Sequence, residues 1–291
     1  MTSATEARSG KTHRDENFPV ASWLISEQHR GPILAFYRFA RAADDVADHP
    51  NLLPDEKLAL LDRLGEALSG DGPSDPEAEP LRRALSERGL VSRHAFDLLK
   101  AFRMDARKNR YKNWAELMDY CRLSAMPVGR FVLDVHGVNE ATWPASDALC
   151  AALQIINHLQ DCGKDYRYLD RVYLPQDLLA AHGATNEMLD LRRAPPALLG
   201  AIAELAHRTK ELVEHGAALV PQIANIRLAL EIAAIENLAR HLVHNLERRD
   251  PLSEPVHLDK AGFAFVGGLG ALRCLVSIFA RSVGMRTKVR E

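Results

Sequence analysis

Asp44-Asp45-Val46-Ala47-Asp48 and Asn157-His158-Leu159-Gln160-Asp161-Cys162-Gly163-Lys164-Asp165 are the stretches that decide how this chain is read. On a helix, residues four apart share a face. Asp44 and Asp48 therefore point one way, and Asn157, Asp161 and Asp165 share a face of their own. Apolar sequence adjoins both: Ile33-Leu34-Ala35-Phe36-Tyr37 leads into the first, Leu149 to Ile156 into the second. Carboxylates gathered on a core-facing stripe repel one another and are costly to desolvate. A counter-charge is expected. Oxygen donors with no cysteine or paired histidine suit a hard cation, and Mg²⁺ is commonly held by a few carboxylates plus substrate phosphates. A lone acid pair at this spacing is usually a solvated surface pair. Two copies in apolar surroundings, the second with Gln154 and Asn157 in phase, reverse that and point to a metal site.

Outward from these stretches, helical periodicity dominates and strand signals are nearly absent. The spacing predicts helices at about 31–48, 55–69, 77–88, 92–109, 113–136, 145–167, 175–181, 186–190, 195–220, 223–247 and 258–284. Pro32 and Pro195-Pro196 suit first helical turns. Ser69 to Pro76 and Asp250 to Pro255 are loops by composition, and both are too short to divide the chain into domains. The expectation is one all-α domain over 17–285, with polar tails at 1–16 and 286–291.

The chain has 291 residues and a formal net charge of −2, which gives no footing for a nucleic-acid partner. Cys121, Cys150, Cys162 and Cys274 form no paired spacing, so neither a disulfide framework nor a zinc site is expected, and a reducing cytoplasm fits. No signal peptide is evident. No segment reads as long and apolar enough to span a bilayer; the nearest, Phe263 to Met285, is interrupted by Arg273 and Arg281. Its two readings, a closing core helix and an interfacial helix at the inner membrane face, stay open. Gly267-Gly268-Leu269-Gly270 lacks the strand and βαβ unit of a dinucleotide site.

Five segments, in order, resemble the squalene and phytoene synthase family. They are the lead-in Tyr37-Arg38-Phe39-Ala40-Arg41-Ala42-Ala43-Asp44-Asp45; the first acid motif Asp44-x-x-x-Asp48; Asp119-Tyr120-Cys121 with Ala125 and Val128-Gly129; Gln154-x-x-Asn157-x-x-Gln160-Asp161-x-x-x-Asp165; and Arg171-Val172-Tyr173-Leu174-Pro175. The resemblance runs from about Phe18 to about Leu246 and implies an all-α isoprenoid synthase bundle with a central cavity. It implies a Mg²⁺-dependent enzyme acting on a prenyl diphosphate, with Asp44, Asp45, Asp48, Asn157, Asp161 and Asp165 at the metal. Of these, Asp44, Asp48, Asp161 and Asp165 carry the catalysis. Tyr37, Arg41, Tyr120, Gln154, Gln160, Arg171 and Tyr173 would meet the substrate. Ala125, Val128, Phe131 and Leu153 would form the apolar depth.

Two positions depart from the family pattern. Gln160 stands where the family usually has Arg, which would remove a cation beside the metal. Asp15-Glu16-Asn17-Phe18 stands in place of a serine-rich start. Together, Glu16-Asn17-Phe18-Pro19-Val20-Ala21-Ser22 and Asn157-His158-Leu159-Gln160-Asp161 look most like the branch that turns presqualene diphosphate into hydroxysqualene for hopanoid synthesis. Partners are then the enzymes that make presqualene diphosphate and squalene. Squalene or phytoene synthesis, and a non-catalytic helical assembly factor, remain as alternatives.

Bland readings stand beside these. Arg38 and Arg41 are either ion-pair partners of Asp44 and Asp45 or diphosphate clamps. The family position favours the clamp for Arg41 and leaves Arg38 even. Arg171 is expected to close over the diphosphate like a lid. His158 shows no pattern of a ligand, and His241 and His244, three apart with no acid or cysteine partner, are taken as structural.

Overall fold

The structure is a computed structural model; it describes the backbone of residues 26–288 and the side chains of residues 26–280. The expectations about Asp15 to Ser22 and the tail at 1–16 lie outside the described residues. Within them the chain is helical: α1 (Glu27–Ala47), α2 (Pro54–Ser69), α3 (Ala78–Arg88), α4 (Arg93–Asp105), α5 (Trp114–Ser124), α6 (Met126–Val135), α7 (Trp143–Gln160), α8 (Cys162–Leu169), α9 (Gln176–Ala181), α10 (Pro196–Gly216), α11 (Ile226–Leu246) and α12 (Lys260–Lys288). One isolated β-bridge, Arg110 to Val172, is the extended pairing among the described residues. All four cysteines are free.

Several boundaries differ from the periodicity, for local reasons. Helix α1 begins at Glu27, so Pro32 lies inside it rather than in its first turn. Proline has no N–H to give the carbonyl four residues back. That carbonyl, Gln28 O, instead accepts from Arg88 Nη1 at 2.8 Å. The expected helix at 113–136 is two helices meeting at Ala125, two residues before Pro127. The expected helix at 145–167 is also two, α7 and α8, which meet at Asp161 with φ −100° and ψ 6°. Helix α12 continues to Lys288, beyond the expected end at 284.

Burial divides the core into two clusters. One joins α1 to α4, with Phe39, Leu61, Leu64 and Leu99 fully enclosed and Phe131 of α6 stacked on Phe36 at 4.1 Å. The other is built on α7, α10 and α11 around Ile155, Ile156, Ala201 and Leu205. Helix α1 brings the first acid pair from one cluster, and α7 with α8 brings the second from the other. Helix α12 packs along α11.

Length and composition overturn one expectation: Lys260–Ala280 has a mean hydropathy of 1.9 and is long and apolar enough to cross a membrane. The apolar residues around Arg273 outweigh its charge in that average. The helix buries Gly267, Gly270 and Cys274 toward α11, while Phe265, Leu272, Val276 and Phe279 form an exposed stripe.

Candidate active site

Both acid pairs line one cavity of about 530 Å³, together with Arg41, Asp105, Tyr120, Gln154, Asn157, His158, Lys164, Leu169, Arg171, Tyr173 and His257. Asp44 and Asp48 come from the last turn of α1. Asn157 and Gln154 lie on α7, Asp161 at the junction and Asp165 on α8. The break at Asp161 does not cost the register, because Asp161 N bonds Asn157 O at 3.0 Å and Asp165 N bonds Asp161 O at 2.8 Å.

The site is short of positive charge. Burial, then the neighbouring Asp48, pushes Asp44 up to about 8, against the pull of Arg41. Burial, then Asp161 and Asp48, pushes Asp165 up to about 7. A cation would relieve this repulsion. The donors are oxygens, which suits Mg²⁺. Among the described residues no three acidic, histidine or cysteine side chains converge closely enough to hold a metal unaided.

Arg41 holds Asp44 at 3.0 Å and Asp45 at 3.2 Å, so the ion pair and a place at the cavity coexist. Arg171 is no mobile lid. It is buried, with Nη1 on Asp48 Oδ1 at 2.5 Å and Nη2 on the carbonyls of Ala47 and Asp105 at 3.1 and 3.2 Å. It ties the end of α1 to the end of α4 from the cavity wall. Asp105 accepts from Tyr120 Oη at 2.9 Å and Tyr173 Oη at 3.4 Å, and burial raises it to about 7 despite Arg171.

Three substrate or metal expectations fail on direction. Asp45, one residue past Asp44, turns inward to Arg41 and does not line the cavity. Gln160, one residue before Asp161, is buried and donates to Val256 O at 2.6 Å, so it does not sit beside a metal. Tyr37 does not line the cavity either, and Arg38 is exposed away from it. A helix turns about 100° per residue, which carries Asp45 and Gln160 off the cavity face, although the adjacent Asn157 and His158 both reach it. The expected apolar depth is not in this wall: Phe131 belongs to the core under Phe36, and Ala125, Val128 and Leu153 do not line the cavity.

Three polar wall residues escaped the sequence. Asp105 falls in phase with Leu98 and Ala101 on the apolar stripe of α4, a signal that could have found it. His158 stacks on Tyr173 with ring centres 3.4 Å apart, and Gln154 Nε2 lies 3.1 Å from its Nε2. Burial lowers it to about 3, so the imidazole is neutral. His257 comes from a loop that periodicity cannot place.

The sequence model of the squalene/phytoene synthase family matches residues 11–261. A protein named hydroxysqualene synthase from Rhodopseudomonas palustris is 57% identical over 98% of this chain and 96% of its own length. One of the same name from Sinorhizobium fredii is 54% identical over 94% and 93%. A crystal structure of a squalene synthase from Alicyclobacillus acidocaldarius has 31% identity and a TM-score of 0.69, covering 79% of this chain and 87% of that one. A dehydrosqualene synthase structure shares the fold with a TM-score of 0.76 at 22% identity. Matched along most of its length in sequence and alike in fold, this chain belongs to the squalene/phytoene synthase family.

Proposed function

We propose that this chain converts presqualene diphosphate to hydroxysqualene with release of diphosphate. The observation that carries the reading is the convergence of Asp44, Asp48, Asn157, Asp161 and Asp165 on one cavity. Two relatives above 50% identity bearing the name hydroxysqualene synthase support the choice of reaction within the family.

Those five residues would hold Mg²⁺. When bound, the ion would neutralise diphosphate oxygens and make diphosphate a better leaving group. Arg41 and Lys164 at the cavity wall add positive charge for the same oxygens. Arg171 keeps Asp48 in place through its buried pair. The carbon–oxygen bond to diphosphate breaks with its electron pair on oxygen, leaving a carbocation. The hydroxyls of Tyr120 and Tyr173 are both turned to Asp105, and since His158 and Tyr111 stack on Tyr173, Tyr120 is the ring that can face a cation. Neutral His158 places no positive charge against it. Water then supplies the oxygen of the new carbon–oxygen bond and loses a proton.

Incubation of presqualene diphosphate with the protein and Mg²⁺, without a nicotinamide, should give hydroxysqualene carrying ¹⁸O from labelled water. EDTA should stop the reaction. Squalene formed only with a reductant, or phytoene formed from two C20 diphosphates, would sink the reading. For the water-insoluble product, the exposed stripe of α12 offers a surface suited to peripheral contact with lipid.

A further inference from the structure

The loop between α11 and α12 is fastened to the two residues that bracket Asp161. Gln160 donates its amide to Val256 O at 2.6 Å, in a setting where both residues are buried. Leu252 lies against Gly163 so closely that a Cβ there would meet Leu252 Cδ2 at 2.6 Å. Asp250 stiffens the start of the same loop, accepting from Ala194 N at 3.0 Å and Leu252 N at 2.9 Å. The residue after the Val256 anchor is His257, which is exposed and lines the cavity with Asp161 and Asp165. Among the described residues no side chain partners its imidazole. Arg41 and Arg171, by contrast, are already engaged by carboxylates.

We propose that His257 is a diphosphate-binding residue and that Gln160 is the positioning residue that holds it at the cavity through the Val256 carbonyl. This rests on the diphosphate reading of the site. An imidazole N–H can donate to a phosphate oxygen. A neutral amide suits the anchor, because the carbonyl it grips needs only one donor. A guanidinium at 160 would bring a charge into a buried position whose hydrogen-bond partner here is a neutral carbonyl. The Oε1 of Gln160 is itself buried without a partner, so the anchor is held by its donor side alone. Replacing the amide by an isosteric apolar side chain therefore removes the grip without adding bulk.

The test uses the full chain with Mg²⁺ and inorganic pyrophosphate as the probe, alongside kcat and KM for presqualene diphosphate. His257→Ala should weaken pyrophosphate binding by about tenfold, the scale of one hydrogen bond to a charged group. His257→Asn, which keeps a donor, should recover part of the loss. Gln160→Leu should weaken pyrophosphate binding in the same direction. The double variant His257→Ala/Gln160→Leu should bind no worse than His257→Ala alone, since the anchor has nothing left to position. Unchanged affinity in His257→Ala overturns the proposal, and that exposed substitution does not depend on refolding the core. A Gln160→Leu variant that loses thermal stability but keeps full affinity makes Gln160 a packing residue only. An unaltered chain that binds no Mg²⁺-pyrophosphate would instead overturn the functional reading underneath.

Discussion

Arg171 and Asp161 are both expected at the diphosphate from the sequence, but they stand in opposite energetic positions. Arg171 compensates: its guanidinium satisfies Asp48 and the carbonyls of Ala47 and Asp105 inside the protein. Arg171→Gln should leave a carboxylate and two carbonyls short of donors and cost about 3 kcal/mol in urea unfolding, the scale of a broken buried pair. Asp161 belongs to a cluster of like charges. Asp161→Asn should lower turnover by about 100-fold by weakening metal binding, yet leave Tm unchanged or slightly raised. A Tm loss in Asp161→Asn comparable to that of Arg171→Gln would contradict this division. The sequence could show that Asp44, Asp48, Asp161 and Asp165 share phase. It could not show that Asp45 and Gln160 face away, because adjacent positions in a motif are indistinguishable until the axis of each helix is fixed.

At the scale of elements, close backbone approach decides where α12 sits. A Cβ on Gly270 would meet Ala233 O at 2.5 Å and Asn237 Cβ at 2.7 Å, whereas one on Gly268 would meet nothing within 4 Å. Asn237 Nδ2 also donates to Val266 O at 2.7 Å across the same seam. Gly270→Ala should destabilise the protein by about 1–3 kcal/mol through overpacking. Gly268→Ala, in the same helix, should be neutral or stabilise by up to about 1 kcal/mol through helix propensity. Thermal unfolding of the pair separates the two, and equal effects would mean that α12 does not depend on this approach. The helical nature of α12 was plain from its composition. Which glycines face α11 was not, because all three in Gly267-Gly268-Leu269-Gly270 satisfy the same local pattern.

For the whole molecule, proton binding and lipid contact are the two measurable consequences. Folded Asp44 holds its proton up to about 8, and Asp105 and Asp165 up to about 7, while an unfolded Asp releases it near 3.8. The folded state thus binds more protons in this range, so stability falls as pH rises through it. Buried His158 acts in the opposite sense, but only below about 6.5, where the unfolded imidazole charges. In EDTA, Tm should therefore drop as pH rises through about 7 to about 8 and level off above that, and Mg²⁺ with pyrophosphate should reduce the drop by favouring the ionised carboxylates. A flat Tm profile in EDTA would argue that these carboxylates are not strained. The exposed stripe of α12 predicts co-sedimentation with phospholipid vesicles, weakened at least several-fold in Phe265→Ser/Phe279→Ser. Equal sedimentation of both proteins would remove lipid contact through this face.

The sequence by itself determined the helical class, the apolar stripes and the phase of the two acid pairs, because each depends on local spacing, which holds even across the junction of α7 and α8 at Asp161. It also carried the family resemblance, through five ordered segments. Only the tertiary structure decided that the pairs share a cavity, that Arg171 is an internal tie, and that Asp105, His158 and His257 stand in the same wall. Those facts depend on contacts such as Arg171 with Asp48 and Gln160 with Val256, which join residues far apart in the chain. No local period encodes them. They follow from how the two core clusters close against each other, and that closure sets which face of each helix meets the cavity.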